Sequence, residues 1–235
     1  MFSVRYRLQI LAILMGLPSF AYGQSDDVNE NAGIDISANL SVVTDYRFRG
    51  ISLSNRDPAI QGGVDVSTAA GFFAGTWSST VANTGGSNVE IDLYGGYANG
   101  VAGIDYSVRA VGYVYPGGQD VNYYEFFGNA ERTVGAATVK LGLAYIPGQN
   151  NFSNSNFYIN TAADIALPRT PLVLSVGFGR ESSVGFRKWD WLAGLSWSFE
   201  NLTLSAAYVD TTYGDETEAG RLGRAGAIVS LTADF

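Results

Sequence analysis

Three charged residues at intervals of two, Asp45, Arg47 and Arg49, are the best candidates in this chain for binding chemistry. In an extended strand, residues two apart lie on one face, so these three side chains are predicted to project side by side. One interpretation is a basic constriction, because rings of arginine favour anions and a guanidinium group binds a carboxylate through two parallel hydrogen bonds. The other, which we favour, is a structural salt-bridge network with acidic residues of neighbouring strands. The acidic partners expected there are Asp65, Glu90 and Asp92.

Catalytic chemistry is poorly supported, because the chain contains neither histidine nor cysteine. Without histidine there is no Ser-His dyad or triad, no imidazole ligand and no general base with an ordinary pKa near neutrality. Without cysteine there is neither a disulfide framework nor a thiolate metal site. We therefore predict that the protein is not an enzyme, and that it has no catalytic residue, no metal site and no cofactor.

Long strands are the elements that must position the charges. From Ile34 to Phe48, and again from Ala225 to Phe235, apolar residues alternate with polar ones. A period of two places the two sets on opposite faces of a strand. Membrane-spanning strands need about 9 to 11 residues, whereas strands of soluble sandwiches usually have about 5 to 6. Both runs are long enough to cross an outer membrane, and the terminal aromatic Phe235 is a candidate assembly signal.

The first residues predict export. Arg5 and Arg7 precede an apolar stretch that ends near Pro18, and the small residues before Gln24 suit a signal peptidase. A membrane-anchor helix is the alternative, but the stretch is shorter than the roughly 20 residues that a helix needs to cross. We predict a signal peptide at residues 1–23, a short periplasmic segment at 24–33 and a transmembrane β-barrel at 34–235.

Twelve strands are predicted, with connections that alternate in length. Long polar connections follow the odd strands and short turns follow the even ones, which is the pattern of bacterial barrels with outer loops and periplasmic turns. Both termini are then periplasmic. The predicted strands are 34–49, 59–68, 72–81, 89–98, 104–115, 123–132, 137–146, 157–166, 172–181, 189–199, 202–210 and 225–235. The predicted outer loops are 50–58, 82–88, 116–122, 147–156, 182–188 and 211–224.

The composition fits a barrel wall. Charged residues make up 15% and aromatic residues 13% of the chain, whereas a soluble protein carries about 25% charge. Aromatic residues of outward parity gather near both strand ends, as in the two girdles of membrane barrels; a soluble β-sandwich core is the alternative. The expected outer girdle is Tyr46, Phe48, Tyr124, Phe126, Tyr145, Phe157, Phe178, Trp191 and Tyr208, and the periplasmic girdle is Phe73, Tyr97, Tyr106, Trp197, Phe199 and Phe235.

The charged residues of inward parity are the candidates for a pore lining. A charge that faces lipid at mid-membrane costs about 2 to 4 kcal/mol for Arg or Lys, so an inward orientation is expected. Twelve strands should enclose a narrow lumen, between the filled interior of eight strands and the open channel of sixteen. The pore-lining candidates are Asp45, Arg47, Arg49, Asp65, Glu90, Asp92, Asp105, Arg109, Glu125, Lys140, Asp164, Glu181 and Asp190; Asp35, Glu131 and Asp234 share their parity.

Several motifs resemble a known family. The most specific is Asp45-Tyr46-Arg47-Phe48-Arg49-Gly50-Ile51-Ser52, supported by the segments 58–63, 90–97, 115–117, 123–125 and 189–191. Together they resemble the TorF-type porins of proteobacteria over nearly the whole mature chain. The resemblance implies an outer-membrane β-barrel that conducts solutes, in a family with few characterised members, and it supplies no substrate.

The sequence therefore predicts an outer-membrane porin-like channel for passive passage of small solutes or ions through a narrow charged lumen. A non-conducting structural or surface-recognition barrel is the alternative. Expected partners are outer-membrane lipid and lipopolysaccharide, the barrel assembly machinery and small solutes or ions, with no nucleic acid. Because acidic residues far outnumber basic ones among the inward candidates, we expect a weak preference for cations.

Overall fold

The computed structural model describes residues 33–212 and 220–235. The predicted signal peptide at 1–23 lies outside these residues, as do residues 24–32 of the predicted periplasmic segment that follows it. Within the described ranges, no helix is long and apolar enough to cross a membrane. The strands are β1 Ile34–Val43, β2 Arg47–Phe48, β3 Ile51–Ser52, β4 Ala59–Thr68, β5 Phe72–Thr84, β6 Ser87–Val101, β7 Ile104–Val114, β8 Tyr123–Val134, β9 Ala137–Ile146, β10 Asn156–Ala166, β11 Leu172–Ser183, β12 Phe186–Phe199, β13 Leu202–Thr211 and β14 Gly226–Asp234.

Twelve of these strands, β1 and β4 to β14, form one closed antiparallel barrel. The first strand closes it, because Leu40 is paired with Gly62 of β4 on one side and with Ala233 of β14 on the other. The pairing extends to the last residue, since Phe235 and Ala38 exchange backbone hydrogen bonds of 2.8 and 3.0 Å. Closure leaves no unpaired edge strand. The predicted fold class, an all-β up-and-down barrel of about twelve strands, is confirmed.

The two faces of the wall differ as the alternation predicts. In β1, Leu40 and Val42 are more than half exposed, whereas Ser41 between them is buried. In β14, Val229 and Leu231 are exposed and Ser230 is buried. Because the exposed set is apolar and the buried set is largely polar, the outer face suits lipid and the inner face suits a hydrated or ion-paired interior.

The two ends of the barrel carry different connections. The longest ones lie at one end, which we call the loop end; they are residues 44–58, 115–122 and 147–155, together with residue 212 and residues 220–225 of the connection between β13 and β14. The opposite end, which we call the turn end, has short connections such as 69–71, 102–103 and 200–201. The sequence analysis predicts that the loop end lies outside the cell.

The prediction of a continuous first strand to Arg49 is wrong. The wall strand β1 ends at Val43, and residues 44–54, which we call the inner hairpin, contain the two-residue strands β2 and β3 in a separate sheet. Arg49 and Gly50 form the turn between them, both with positive φ, at 49° and 84°. Two central residues with positive φ are the signature of a tight β-hairpin. The alternation of types continues through this hairpin, which is why the sequence pattern does not mark where the wall ends.

Two further predictions need correction. The expected loops at 82–88 and 182–188 are tight hairpins, in which β5 and β6 are joined by Gly85 and Gly86, and β11 and β12 by Val184 and Gly185. The longer strands bring residues near these turns into the wall. In addition, three aromatic residues expected in the girdles lie inside the barrel: Tyr46 and Phe48, which belong to the inner hairpin, and Phe73 of β5.

Candidate functional site

The inner hairpin crosses the lumen at the loop end. The hydroxyl of Tyr46 donates to Glu90 of β6 over 2.8 Å, and the guanidinium of Arg49 bonds to Glu125 of β8 and Glu181 of β11. These contacts reach strands on different sides of the barrel, so the hairpin occupies the space that a solute would cross.

The hairpin is attached along both of its arms. The backbone N–H of Ala82 donates to the carbonyl of Leu53 over 2.8 Å, which ties the hairpin to β5. The N–H of Ser52 donates to Leu222 O over 3.0 Å, and Arg47 donates to Arg224 O over 2.7 Å, which ties it to the connection before β14. The hairpin is therefore fixed to the wall by backbone as well as by side-chain contacts.

Asp45 organises the hairpin internally. One carboxylate oxygen accepts from Arg47 Nε at 2.8 Å, and the other accepts from the hydroxyl of Ser52 at 2.6 Å. Arg47 also donates to Gly50 O over 3.1 Å. Asp45 and Arg47 are both buried and pair with one another, so this ion pair lies within the hairpin.

Arg49 is the basic group that the hairpin presents to the wall. Its guanidinium forms ion pairs with Glu125 and, over 3.2 Å, with Glu181. It lies 4.3 Å from the ring centroid of Tyr158 on β10 and 4.6 Å from that of Phe48 on the hairpin. Two carboxylates and two aromatic faces around a buried guanidinium are the contacts that this group binds best.

Lys188 completes this cluster, and the sequence analysis missed it. Its side chain is fully buried, and its ammonium lies 3.2 Å from Glu181, 3.2 Å from Asp190 and in hydrogen-bonding contact with the carbonyl of Arg49. Asp190 also accepts a bond of 2.9 Å from the hydroxyl of Tyr158. Lys188 falls in the predicted loop 182–188, but its spacing of two residues from Asp190 is the signal that could have identified it as an inward position of β12.

A second acidic group lies on β6. The carboxylate of Glu90 accepts hydrogen bonds from Tyr46 at 2.8 Å and from Tyr115 at 2.6 Å. Asp92 is two residues further along the same inward face, and its Oδ1 is buried without a hydrogen-bond partner among the described residues. Among the described residues, the side chains that donate to the carboxylate of Glu90 are thus two tyrosines.

Toward the turn end the lining changes. Lys140 and Asp164 form an ion pair of 2.6 Å, and Tyr94 donates to Asp65 over 2.6 Å. Arg109 lies at intermediate depth, with its guanidinium 4.6 Å from the ring of Phe127. Much of the remaining inner surface consists of small hydroxyl side chains. Examples are Ser175, Ser196, Thr203, Ser205, Ser230 and Thr232.

The structure brings together some of the predicted residues and separates others. The expected partners of the strand-one arginines were Asp65, Glu90 and Asp92, but Arg49 pairs with Glu125 and Glu181 instead, because the hairpin carries it across the lumen. The residues that meet at the loop end are Asp45, Arg47, Arg49, Glu125, Glu181 and Asp190. Asp105 and Asp35 are exposed near the turn end and lie outside this cluster. The role of all these residues as a pore lining stays a prediction.

Little space is left around the hairpin. One cavity of about 10 Å³ borders Arg49, Phe48, Tyr158, Asn129 and Asn160, and another of about 10 Å³ lies beneath Asp45 and Arg47. A volume of this size holds about one water molecule. Neither of these two cavities is large enough to admit a solute beside the hairpin.

A closed antiparallel barrel with an apolar outer face and a charged interior is the fold of the outer-membrane porins. The barrel is similar to the KdgM porin, solved in complex with disordered oligogalacturonate, with a TM-score of 0.55 and 8% identity over 85% of this chain and 97% of that one. It is also similar to the NanC porin, with a TM-score of 0.54 and 9% identity over 86% of this chain and 99% of that one.

The chain belongs to the Gcw_chp family, described as a bacterial protein family of unknown function, which matches residues 27–235. No curated protein matches the sequence. The narrower resemblance to TorF-type porins stays a prediction, because the family description names no porin type.

Proposed function

We propose that this protein is an outer-membrane channel for small solutes or ions, and that its inner hairpin closes the lumen at the loop end. One observation carries the proposal: the part of the chain that crosses the lumen is a loop, which is held by contacts along both of its arms and is separate from the strands of the barrel wall. Twelve strands should enclose more space than side chains alone fill. Movement of residues 44–54 would therefore open a path without any change in the barrel.

The surface of the barrel supports an outer-membrane location. The exposed apolar face supplies the band that lipid requires, and the closed strand pairing satisfies the backbone polar groups that lipid cannot. We propose that the loop end faces outward, toward lipopolysaccharide, and that the turn end and both termini face the periplasm. Phe235, whose side chain is 73% exposed on the outer face, is the proposed signal to the barrel assembly machinery.

The charges of the wall support passage of cations. When the inner hairpin leaves, it takes Arg47 and Arg49 with it, while Glu90, Glu125 and Glu181 remain on the wall. Fixed negative charges along a narrow lumen raise the local concentration of cations. The similar KdgM porin was solved in complex with oligogalacturonate, a polyanion; here the acidic wall favours the opposite sign.

Planar-bilayer recording tests the proposal. We compare the intact barrel with a variant in which residues 45–53 are replaced by a short Gly-Ser turn. If the protein is a channel, we expect rare openings of the intact protein and a steady, larger conductance of the variant. In a salt gradient, the reversal potential of the variant should indicate a preference for cations. Shortening the connection 147–155 by the same procedure is the control, and it should leave the conductance unchanged.

The closed lumen also favours a second candidate, a structural or surface-recognition barrel that conducts nothing. In that case the inner hairpin is a permanent plug that stabilises the barrel. Both the intact protein and the hairpin variant would then be silent in bilayers while folding correctly, as judged by their electrophoretic shift on heating. Such a result would contradict the proposed channel function and would leave the barrel fold unaffected.

A further inference from the structure

The contacts of Arg49 resemble those of a bound ligand more than those of a structural residue. Its guanidinium is held by side chains from three wall strands: Glu125 on β8, Tyr158 on β10 and Glu181 on β11. None of these wall residues belongs to the hairpin, so the site stays in the wall when the hairpin moves. The turn at Arg49 and Gly50 presents this side chain at the tip of the hairpin.

The wall around this position has a charge that requires a cation. Lys188 is already shared between Glu181 and Asp190, at 3.2 Å from each. Glu125, which is fully buried, pairs with Arg49 and accepts a hydrogen bond of 3.3 Å from the hydroxyl of Tyr113. A buried carboxylate without a counter-ion is strongly unfavourable. Removal of Arg49 therefore leaves a vacancy for a positive group at Glu125.

The chemistry of the vacancy selects the kind of cation. The carboxylates of Glu125 and Glu181 suit the planar donors of a guanidinium, and the face of Tyr158 attracts organic cations. A guanidinium is also more weakly hydrated than an ammonium or a small inorganic ion, so it is more easily transferred to a buried site.

The site borders a small cavity on the side away from the hairpin. The cavity beside Arg49 is lined by Asn129 and Asn160, which lie nearer the middle of β8 and β10 than Glu125 and Tyr158 do. Their amides border the space between the ion-pair cluster and the turn-end half of the lumen. The cavity holds about one water molecule, so the site has polar space next to the guanidinium on the side that faces the middle of the barrel.

We propose that Arg49 occupies a cation-binding site in the lumen wall, formed by Glu125, Glu181 and Tyr158, and that this site takes the guanidinium or primary ammonium group of a solute when the hairpin moves away. The inference rests on the proposed channel for its biological meaning. It names the class of solute, and it makes the hairpin a tethered competitor of that solute.

Chemical rescue tests the site without any measurement of current. The probe is guanidinium chloride at millimolar concentration, compared with sodium chloride at equal ionic strength, and the readout is the thermal unfolding midpoint of the detergent-folded barrel. A ligand that binds the folded state raises its stability with concentration. We expect guanidinium to raise the midpoint of Arg49→Ala, and to leave the intact protein unchanged because its site is filled.

Two further variants show whether the effect belongs to this site. Arg56→Ala is the matched control, because Arg56 is on the same connection but donates to the backbone carbonyls of Arg221 and Ala225 at the rim. It should show no guanidinium-specific shift. In the double variant Arg49→Ala with Glu125→Gln, loss of a charge-assisted hydrogen bond should weaken guanidinium binding about tenfold or more.

Equal shifts in Arg49→Ala and Arg56→Ala, or a shift that survives Glu125→Gln, would overturn the proposal. If Arg49→Ala does not fold, the folding yield in guanidinium against sodium becomes the readout: a restored yield supports the site and an unrestored yield contradicts it. Methylammonium chloride repeats the test for the ammonium group. If guanidinium specifically raises the unfolding midpoint of Arg49→Ala but no variant conducts current in bilayers, the proposed channel function is contradicted and the proposed cation-binding site is supported.

Discussion

The two halves of the lumen are built from the same twelve strands but are filled in different ways. At the loop end, the inner hairpin contributes Asp45, Arg47 and Arg49 to a buried network with wall carboxylates and Lys188. At the turn end, the wall supplies single ion pairs such as Lys140 with Asp164, set among serine and threonine hydroxyls. In the proposed channel, closure is therefore a property of one loop, whereas small polar groups of the strands line the other half.

The comparison also separates two uses of charge. Ion pairs at the loop end are buried and share partners, so the loss of one group leaves others uncompensated. The lysine of the turn-end pair remains accessible to solvent, which screens its interactions. The same substitution should consequently have different effects in the two halves.

The largest difference is expected between the two inward lysines. Lys188→Met should reduce the free energy of unfolding by about 3 to 5 kcal/mol, because it leaves Glu181 and Asp190 short of a buried counter-charge. Lys140→Met should cost about 1 kcal/mol, since the side chain is 21% exposed and Asp164 keeps a hydrogen bond of 2.5 Å from Ser175. Denaturant titration of the detergent-folded barrel measures both. Equal losses would show that the two halves are energetically alike.

The next prediction concerns the close approach of the hairpin to the wall. A Cβ on Gly50 would lie 2.9 Å from Cβ of Thr211 and 3.1 Å from Cβ of Asp190. Gly50→Ala should therefore add about 1 to 3 kcal/mol of overpacking to the cost of alanine at positive φ, and displace the hairpin. Gly117→Ala is the matched control, because Gly117 has φ of 78° and no atom within 4 Å of the new Cβ. Raised conductance of the first variant alone is the expected result; similar behaviour of both would mean that the wall contact is not what holds the hairpin.

A smaller effect is expected from two buried hydroxyls. Ser52 donates to Asp45 over 2.6 Å and accepts from the N–H of Arg56 over 2.7 Å, so Ser52→Ala should cost about 1 to 2 kcal/mol. Ser205 lies toward the turn end, where its hydroxyl has no partner among the described residues, and Ser205→Ala should change stability by less than about 0.5 kcal/mol. Thermal unfolding of the two variants side by side gives the difference. A larger loss of stability for Ser205→Ala than for Ser52→Ala would contradict the expectation that buried polar contacts matter more at the loop end than toward the turn end.

The wall could be predicted from the sequence because a membrane strand has a strict period and a required length. In β1, the alternation correctly predicts that Leu40 and Val42 are exposed and that Ser41 between them is buried. All twelve predicted strands are present in the barrel. The inner hairpin could not be found from parity, because alternation continues from Val43 to Phe48 although the chain has left the wall. The one local signal was Gly50, a turn residue just after Arg49. Which carboxylates Arg49 reaches depends on where the hairpin crosses the barrel, and that is a tertiary property.

A reversible lock on the inner hairpin tests the central claim most directly. The chain has no cysteine, so Leu53→Cys with Ala82→Cys places a single pair at positions whose backbones are hydrogen-bonded between the hairpin and β5. Single-channel recording of the same preparation, oxidised and then reduced, is the measurement. The account predicts that openings vanish when the disulfide forms and return on reduction. Equal open probability in the two states, with the disulfide verified by mass, would show that the inner hairpin does not control the lumen.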